Sequence, residues 1–210
     1  MYIPRSFAME DRAEIDQFMK ENSFGILFSQ TEDGPRGTHL PFFLAEDEGE
    51  QGVLYGHMAK ANPHWKETAR DVLVVFSGPH HYISPTWYQQ PNNVPTWNYV
   101  AVHAYGEIEI FEEPAALMEL LERSVNFFEA GMPKPWKIEE SQEYAERMLS
   151  GIVGFKIVLN KVEGKKKLNQ NKPAQLQQHV IEALRSQEQE EAHRVAALME
   201  RNAADRTSEE

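Results

Sequence analysis

The sequence predicts an α+β fold, mainly antiparallel β, in which a barrel-forming sheet is decorated by helices. Apolar segments with strand character lie near both ends and in the middle of the 210-residue chain. They do not alternate regularly with helices, as the strands of a parallel sheet do. Two of them, residues 99–111 and 153–159, alternate apolar and polar side chains with the period of a half-buried strand. An antiparallel barrel fits this arrangement better than a parallel sheet.

The N-terminal part of the chain predicts a helix, a hairpin and two further strands. Asp11 can cap a helix over residues 11–22, with Glu14 as its capping-box partner. A turn at residues 31–35 joins two apolar segments into a hairpin. Residues 63–69 fit a helical turn. Short apolar or β-branched runs predict strands at residues 24–29, 38–45, 53–57 and 72–77.

A long irregular segment is expected at residues 78–97. It contains four prolines, which should exclude a central strand or helix. Its aromatic side chains make disorder a poor fit. Loops of this length in a compact domain usually carry function. The aromatic residues are Tyr82, Trp87, Tyr88 and Trp97.

The C-terminal part predicts a long strand, three helices and a last strand. Gly106 marks a possible bulge in the strand at residues 99–111. Pro114 can begin a helix that Gly131 ends. The other helices are expected at residues 139–150 and 174–202, flanking the strand at 153–159. The predicted domains are a barrel at residues 1–164, a basic segment with a helix packed on the barrel at 165–202, and a disordered tail at 203–210.

Composition excludes several classes of protein. The net charge of −12 repels nucleic acid over most of the surface. The chain has no cysteine, so thiol chemistry and disulfides are excluded. No apolar run reaches the length of a membrane span, and no signal peptide is recognisable, so a cytoplasmic protein is expected. One local basic patch could contact DNA: Lys161, Lys165, Lys166, Lys167 and Lys172.

Four clusters of residues could bind a ligand, at residues 38–43, 56–66, 80–99 and 167–173. In the second, histidines, lysines and an asparagine follow a strand, which suits a phosphate because ammonium groups neutralise its charge. The aromatic third cluster suits a flat heterocycle or a subunit interface. Each cluster also has a purely structural interpretation. Residues 38–43 could be an edge strand and residues 56–66 a polar turn. Residues 80–99 could be an aromatic loop packed on its own core, and residues 167–173 a solvated linker.

Neither a metal site nor a catalytic residue is predicted. The histidines lack the spacing that anchors zinc, although a haem held through one histidine stays open. No nucleophile elbow or nucleotide-binding glycine motif is present. The sequence therefore does not indicate a hydrolase, a kinase or a Rossmann dehydrogenase.

The clusters together resemble the PaiB family, described as FMN-binding negative transcriptional regulators. The resemblance rests on six separated motifs that follow one another in order between residue 1 and about residue 185. They read MYIP, THLPF, GHMAKANPHW, FSGPHHYISPTWY, VPTWNYVAVH and KLNQN, at residues 1–4, 38–42, 56–65, 76–88, 94–103 and 167–171.

The resemblance implies a split β-barrel related to pyridoxamine-phosphate oxidase, and a homodimer with FMN at the subunit interface. The implied ring contacts are Thr38, His39, Leu40 and Phe42. The implied phosphate contacts are His57, Lys60 and Asn62. Trp97 and Asn98 would come from the partner subunit, and Gln170 and Asn171 complete the cofactor set.

Two departures from the family pattern are lysine for arginine at Lys60 and asparagine for serine at Asn169. Lysine keeps the charge but loses the bidentate fork of arginine. The implied function is repression of protease-synthesis and sporulation genes, either by direct DNA binding or indirectly. The alternative is a flavin-dependent oxidoreductase or a haem-handling split barrel.

Overall fold

The computed structural model describes the main chain of residues 1–208 and the side chains of residues 1–204. In that part of the chain, strands β1 to β8 are Ala8–Met9, Phe24–Thr31, Gly34–Pro41, Phe43–Ala45, Val53–Ala59, Asp71–Ile83, Thr96–Phe111 and Ile152–Lys167. Helices α1 to α6 are Arg12–Glu21, His64–Glu67, Pro114–Glu129, Gln142–Met148, Ala174–Arg185 and Glu190–Ser208. Short 3-10 turns occur at Arg5–Phe7, Pro85–Tyr88, Ile138–Ser141 and Leu149–Gly151.

The chain folds into two compact units. The terminal unit comprises Met1–Ile15, Ser77–Val102 and Glu163–Glu210. The central unit comprises Asp16–Phe76 and His103–Val162. Strands β6, β7 and β8 contribute residues to both units, so the predicted boundary at residue 164 falls inside a strand.

The strands pair in an antiparallel sheet, which confirms the predicted fold class. Their order is β3-β2-β6-β7-β8-β5-β4, with β1 added beside β8. The order has two ends, so the sheet is not closed. β3 pairs with β2, whereas β4 pairs with β5. Between them, the Phe42 N–H donates to the carbonyl oxygen of Ser23 at 2.8 Å. Phe42 is thus the residue at which one extended segment exchanges one partner strand for another.

The core of the central unit follows from the strand period. Alternate residues of β2, β6 and β8 point inward, and Leu27, Val74 and Phe155 are fully buried. Gly106 on β7 permits a close approach of main chains, because a Cβ there would lie 2.3 Å from the carbonyl oxygen of Val158. A glycine is therefore needed at the position where the sequence predicts a possible bulge.

Two predictions about secondary structure are wrong. The single helix expected at residues 174–202 is two helices, and α5 ends in a tighter last turn in which the Gln187 N–H donates to the carbonyl oxygen of Leu184 at 3.2 Å. The polar residues that follow offer no apolar side chain to continue the buried stripe. Residues 78–83, expected to be irregular, continue strand β6 through Pro79. Pairing of β6 with β2 stops at Val75, so on that side the missing N–H of proline breaks no ladder.

Among the remaining elements, β8 runs to Lys167, well past its predicted end at residue 159, and β3 begins at Gly34 rather than at residue 38. Asp11 accepts a hydrogen bond from the Ala13 N–H at 3.0 Å, as a helix cap should. Helix α6 continues to Ser208, past the predicted start of a disordered tail at residue 203. Residues 209 and 210 of that predicted tail lie outside the described residues. Within those residues, no helix has both the length and the apolar character to span a bilayer.

Candidate functional site

A buried histidine joins two strands and a helical turn in the central unit. His64, at the start of α2, has no solvent exposure. Its Nε2 lies 2.8 Å from Ser29 Oγ on β2, and its Nδ1 lies 2.7 Å from Thr38 Oγ1 on β3. Burial lowers the pKa of His64, the charge of Arg36 lowers it further, and Glu67 opposes them. The imidazole is therefore held neutral, bridging two hydroxyl groups.

The turn before α2 is fixed by its own polar groups. The side chain of Asn62 accepts the His64 N–H at 3.0 Å, and the Asn62 N–H donates to the carbonyl oxygen of Ala59 at 2.9 Å. Arg36 on β3 forms an ion pair with Glu67 of α2 at 2.7 Å. Thr38 and Asn62, both predicted cofactor contacts, are thus brought together through His64.

Lys60 occupies the exposed side of the same turn. Its ammonium lies 2.8 Å from a carboxylate oxygen of Glu112, and both side chains are almost half exposed. The main chain of Lys60 is held by two hydrogen bonds. Its carbonyl oxygen accepts the Trp65 indole N–H at 3.0 Å, and its N–H donates to the carbonyl oxygen of Gly151 at 2.9 Å. Exposed ion pairs contribute only about 0–1 kcal/mol, so a doubly charged phosphate could compete for this ammonium.

The other predicted cofactor contacts of the central unit differ in which of their atoms a ligand could touch. Leu40 and Phe42 are buried, so a ligand would meet their main chain rather than their side chains. His39 lies on the face of β3 opposite Thr38 and stacks on Phe24, with ring centroids 6.2 Å apart. His57 shares a strand face with its second neighbour Tyr55, and burial lowers the pKa of His57. One ligand lying on one face of β3 would not touch both Thr38 and His39 side chains.

The predicted contacts of the terminal unit also have defined partners. Trp97 is exposed, whereas Asn98 is fully buried and directs its Nδ2 at the sulfur of Met199, 3.3 Å away. Gln170 closes a tight turn, accepting the Leu168 N–H at 2.6 Å and donating to the carbonyl oxygen of Lys166. Asn171 is exposed. These contacts hold the turn, and the cofactor roles of the four residues stay predictions.

Reasoning from sequence placed His64 in the ligand-binding cluster at residues 56–66 but not among the cofactor contacts, and it missed Ser29 and Arg36. Arg36 and Thr38 are two residues apart on one strand, which predicts a shared face. That signal was available, but the partner that joins them lies 26 residues further along the chain from Thr38. In the part of the chain that the structure describes, no three His, Asp or Glu side chains are grouped as a metal site requires.

Comparisons with known proteins identify the family. The chain matches the family described as "Putative FMN-binding domain" over residues 1–161. It is 39% identical over 203 residues to the protease synthase and sporulation protein PAI 2 of Bacillus subtilis, which covers 95% of this chain and 97% of that protein. It is 30% identical to the uncharacterized protein AN0679 of Emericella nidulans, covering 81% and 84% of the two chains.

A solved structure shares the fold. The flavocytochrome Anf3 from Azotobacter vinelandii superposes with a TM-score of 0.56 at 16% identity, covering 79% of this chain and 72% of that one. This likeness concerns the fold alone.

The residues present suit FMN in their chemistry. Hydroxyl, amide and guanidinium groups of Thr38, Asn62 and Arg36 surround the buried imidazole, and the ammonium of Lys60 lies on the adjoining turn. Such donors fit a phosphate ester, and a main chain without bulky polar side chains at Leu40 to Phe42 fits a flat ring. The family match over residues 1–161 and the 39% identity to the Bacillus subtilis protein show that the chain belongs to the PaiB family, whose FMN-binding domain it carries, as its six separated motifs predicted.

Proposed function

We propose that the central unit holds FMN along β3, with the phosphate at the turn between β5 and α2. The observation that carries this proposal is the polar cluster in which His64 links Thr38 to Asn62, with Arg36 and Lys60 supplying positive charge. Bound flavin would supply two-electron or one-electron transfer chemistry. The contribution of the chain is to neutralise the phosphate and to fix the strand against which the ring lies.

The biological role that we propose is negative regulation of protease-synthesis and sporulation genes, in the cytoplasm and as a homodimer. Its support is the name of the Bacillus subtilis relative together with the implication of the family resemblance. A flavin-dependent oxidoreductase or a haem-handling protein remains the alternative, since both would use the same split barrel.

We further propose that this regulation is indirect, because the lysines of the predicted basic patch already have partners inside the protein. Lys166 forms an ion pair with Glu14 at 2.7 Å. Lys165 donates to Tyr2, Lys167 to Thr96 and Trp97, and Lys172 to Asn93, whereas the ammonium of Lys161 lies over the ring of Tyr105. Lys165 is buried and Lys166 is neutralised by Glu14, so the patch presents no continuous basic surface to DNA, and the net charge of −12 opposes binding.

Replacing Lys60 by Ala should weaken FMN binding about tenfold. A charge-assisted contact to phosphate contributes roughly 1.5–3 kcal/mol, and releasing Glu112 from its exposed pair offsets at most about 1 kcal/mol of this. Glu112→Gln should have the opposite effect and strengthen FMN binding, because it removes a competing carboxylate. Titration of the purified chain with FMN, followed by quenching of flavin fluorescence, measures both.

The matched control is Lys66→Ala, on the exposed side of α2, where the ammonium lies over the ring of Trp65. This variant should bind FMN like the unaltered chain. Riboflavin, which lacks the phosphate, should bind the Lys60→Ala variant and the unaltered chain equally. Equal FMN affinities for the Lys60→Ala variant and the unaltered chain would remove Lys60 from the site.

DNA binding should be weak and non-specific. Mobility shifts should appear only at low salt and should not distinguish operator from random DNA, because counterion release is the sole driving force left to an acidic protein. If a real contact exists, affinity should fall by about 0.9 log unit per phosphate contact for each tenfold rise in salt. Tight, sequence-selective binding at physiological salt that Lys166→Ala abolishes would contradict the indirect role.

A further inference from the structure

Lys165 is a buried cation for which the described residues provide no carboxylate partner. Its side chain is 7% exposed, and its ammonium donates to the carbonyl oxygen of Tyr2 at 3.1 Å. The ring of Tyr99 lies 5.1 Å from this ammonium and that of Tyr2 lies 5.7 Å from it. The faces of aromatic rings and a carbonyl oxygen attract a cation, but they do not neutralise its charge.

Lys167 adds a second positive charge two residues further along β8. Side chains two apart on a strand share a face, so the two ammonium groups lie on one side of β8. Lys167 donates to Thr96 Oγ1 and, at 2.8 Å, to the carbonyl oxygen of Trp97. Burial lowers the pKa of Lys167, and the neighbouring charge of Lys165 lowers it further.

Within the residues that the structure describes, no carboxylate is paired with either ammonium. Lys166, between them in sequence, shows the contrast, because it points to Glu14 and forms an ion pair. Buried charges in proteins are almost always paired, since an unpaired one loses its hydration without compensation. Two adjacent cations that repel each other increase that cost. A counter-charge from outside the chain would remove it.

We propose that Lys165 and Lys167 bind the anionic group, a phosphate or a carboxylate, of a small planar ligand. The planar part of the ligand would lie on the ring of Trp97, which is 53% exposed. Trp97 follows Thr96, whose hydroxyl group Lys167 contacts. Tyr82 meets the Trp97 ring edge to face, with ring centroids 6.0 Å apart. Every residue of this site belongs to the terminal unit, so the inference stands whether or not the proposed flavin site of the central unit is correct.

The test uses the full-length, flavin-free protein and two probes, inorganic phosphate and benzoate, at constant ionic strength. Calorimetric titration should show that at least one of them binds, and binding should raise the melting temperature. Lys165→Met and Lys167→Met should each weaken that binding about tenfold or more, as loss of a charge-assisted contact does. Lys167→Met, at a half-buried position, keeps the test valid if Lys165→Met fails to fold. Lys166→Met, which loses only the pair with Glu14, is the matched control and should bind normally.

A second measurement separates a ligand site from a structural role. Without any added anion, Lys165→Met should melt at the same temperature as the unaltered chain or higher, because it removes an uncompensated buried charge. A purely structural lysine would give a lower melting temperature and unchanged anion binding, which would overturn the proposal. Failure of the unaltered chain to bind either probe would overturn it as well.

FMN and riboflavin identify the source of the anion. If the phosphate of FMN occupies this site, the two methionine variants should lose affinity for FMN but keep their affinity for riboflavin. If the site takes a second ligand, both flavins should bind the variants normally, and the anionic probe should still bind the FMN-saturated protein. Either result supports the anion site. Anion binding that is equal in the unaltered chain and both variants contradicts it.

Discussion

Replacing Phe42 by Ala should lower the free energy of unfolding by about 3–5 kcal/mol, the usual cost of removing a buried phenyl ring. Phe42 is 1% exposed. Its ring meets Phe76 edge to face at 5.7 Å and Phe155 at 5.9 Å. Phe42 also lies between β3, which pairs with β2, and β4, which pairs with β5. A cavity there should therefore weaken both strand pairings. Urea denaturation followed by circular dichroism measures the loss.

The control is Phe24→Ala, at the start of β2 in the same hairpin, where the ring is 66% exposed. It should change stability by less than about 1 kcal/mol, since little apolar area is lost. Phe42→Leu keeps most of the buried volume and should fold. Its FMN affinity should match that of the unaltered chain if only the main chain of Phe42 faces the cofactor. A large loss of FMN affinity in a stable Phe42→Leu variant would show that the ring itself contacts flavin.

The fold was predictable because most of it follows from local signals. Alternation of side chains placed β7 and β8, and Pro114 began α3 as expected. The errors occurred where pairing decides the outcome. Pro79 was expected to end a strand, yet proline is tolerated when no partner needs its N–H, and sequence does not show where β2 stops pairing. The end of α5 at Arg185 is a different case, because the polar residues that follow it are a signal that the sequence itself contains.

The candidate site was predictable only in part, for the same physical reason. Motifs identified Thr38 and Asn62 because hydroxyl and amide groups beside a strand end suit a phosphate. The structure adds that both are bound to His64, through a side chain and a main-chain N–H respectively. The lysine patch shows the opposite case. Five lysines close in sequence predicted one basic surface, but strand geometry turns Lys166 away from Lys165 and Lys167.

The stability of the protein should fall as the pH is lowered from 7 to 5, and His64 should cause a large part of this fall. Burial and the charge of Arg36 hold the pKa of His64 below its ordinary value of 6.5, and Glu67 only partly opposes them. Burial lowers the pKa of His57 in the same direction. Below pH 6.5 the unfolded chain therefore binds protons that the folded chain excludes. Stability is complete above that pH and is lost as the pH falls toward the folded pKa values.

Each such histidine can contribute a slope of at most about 1.4 kcal/mol per pH unit, the value for one proton. Urea midpoints measured at several pH values should show this slope in the unaltered chain. His64→Gln, which retains a polar side chain for the hydroxyl groups, should be less stable at pH 7 but should lose the His64 share of the slope. His193→Gln is the control for the substitution itself, since that imidazole lies on the terminal unit, 2.7 Å from the carbonyl oxygen of Gln187. An unchanged slope in His64→Gln would mean that the buried imidazole accepts a proton without cost, which two hydroxyl partners and a nearby guanidinium should prevent.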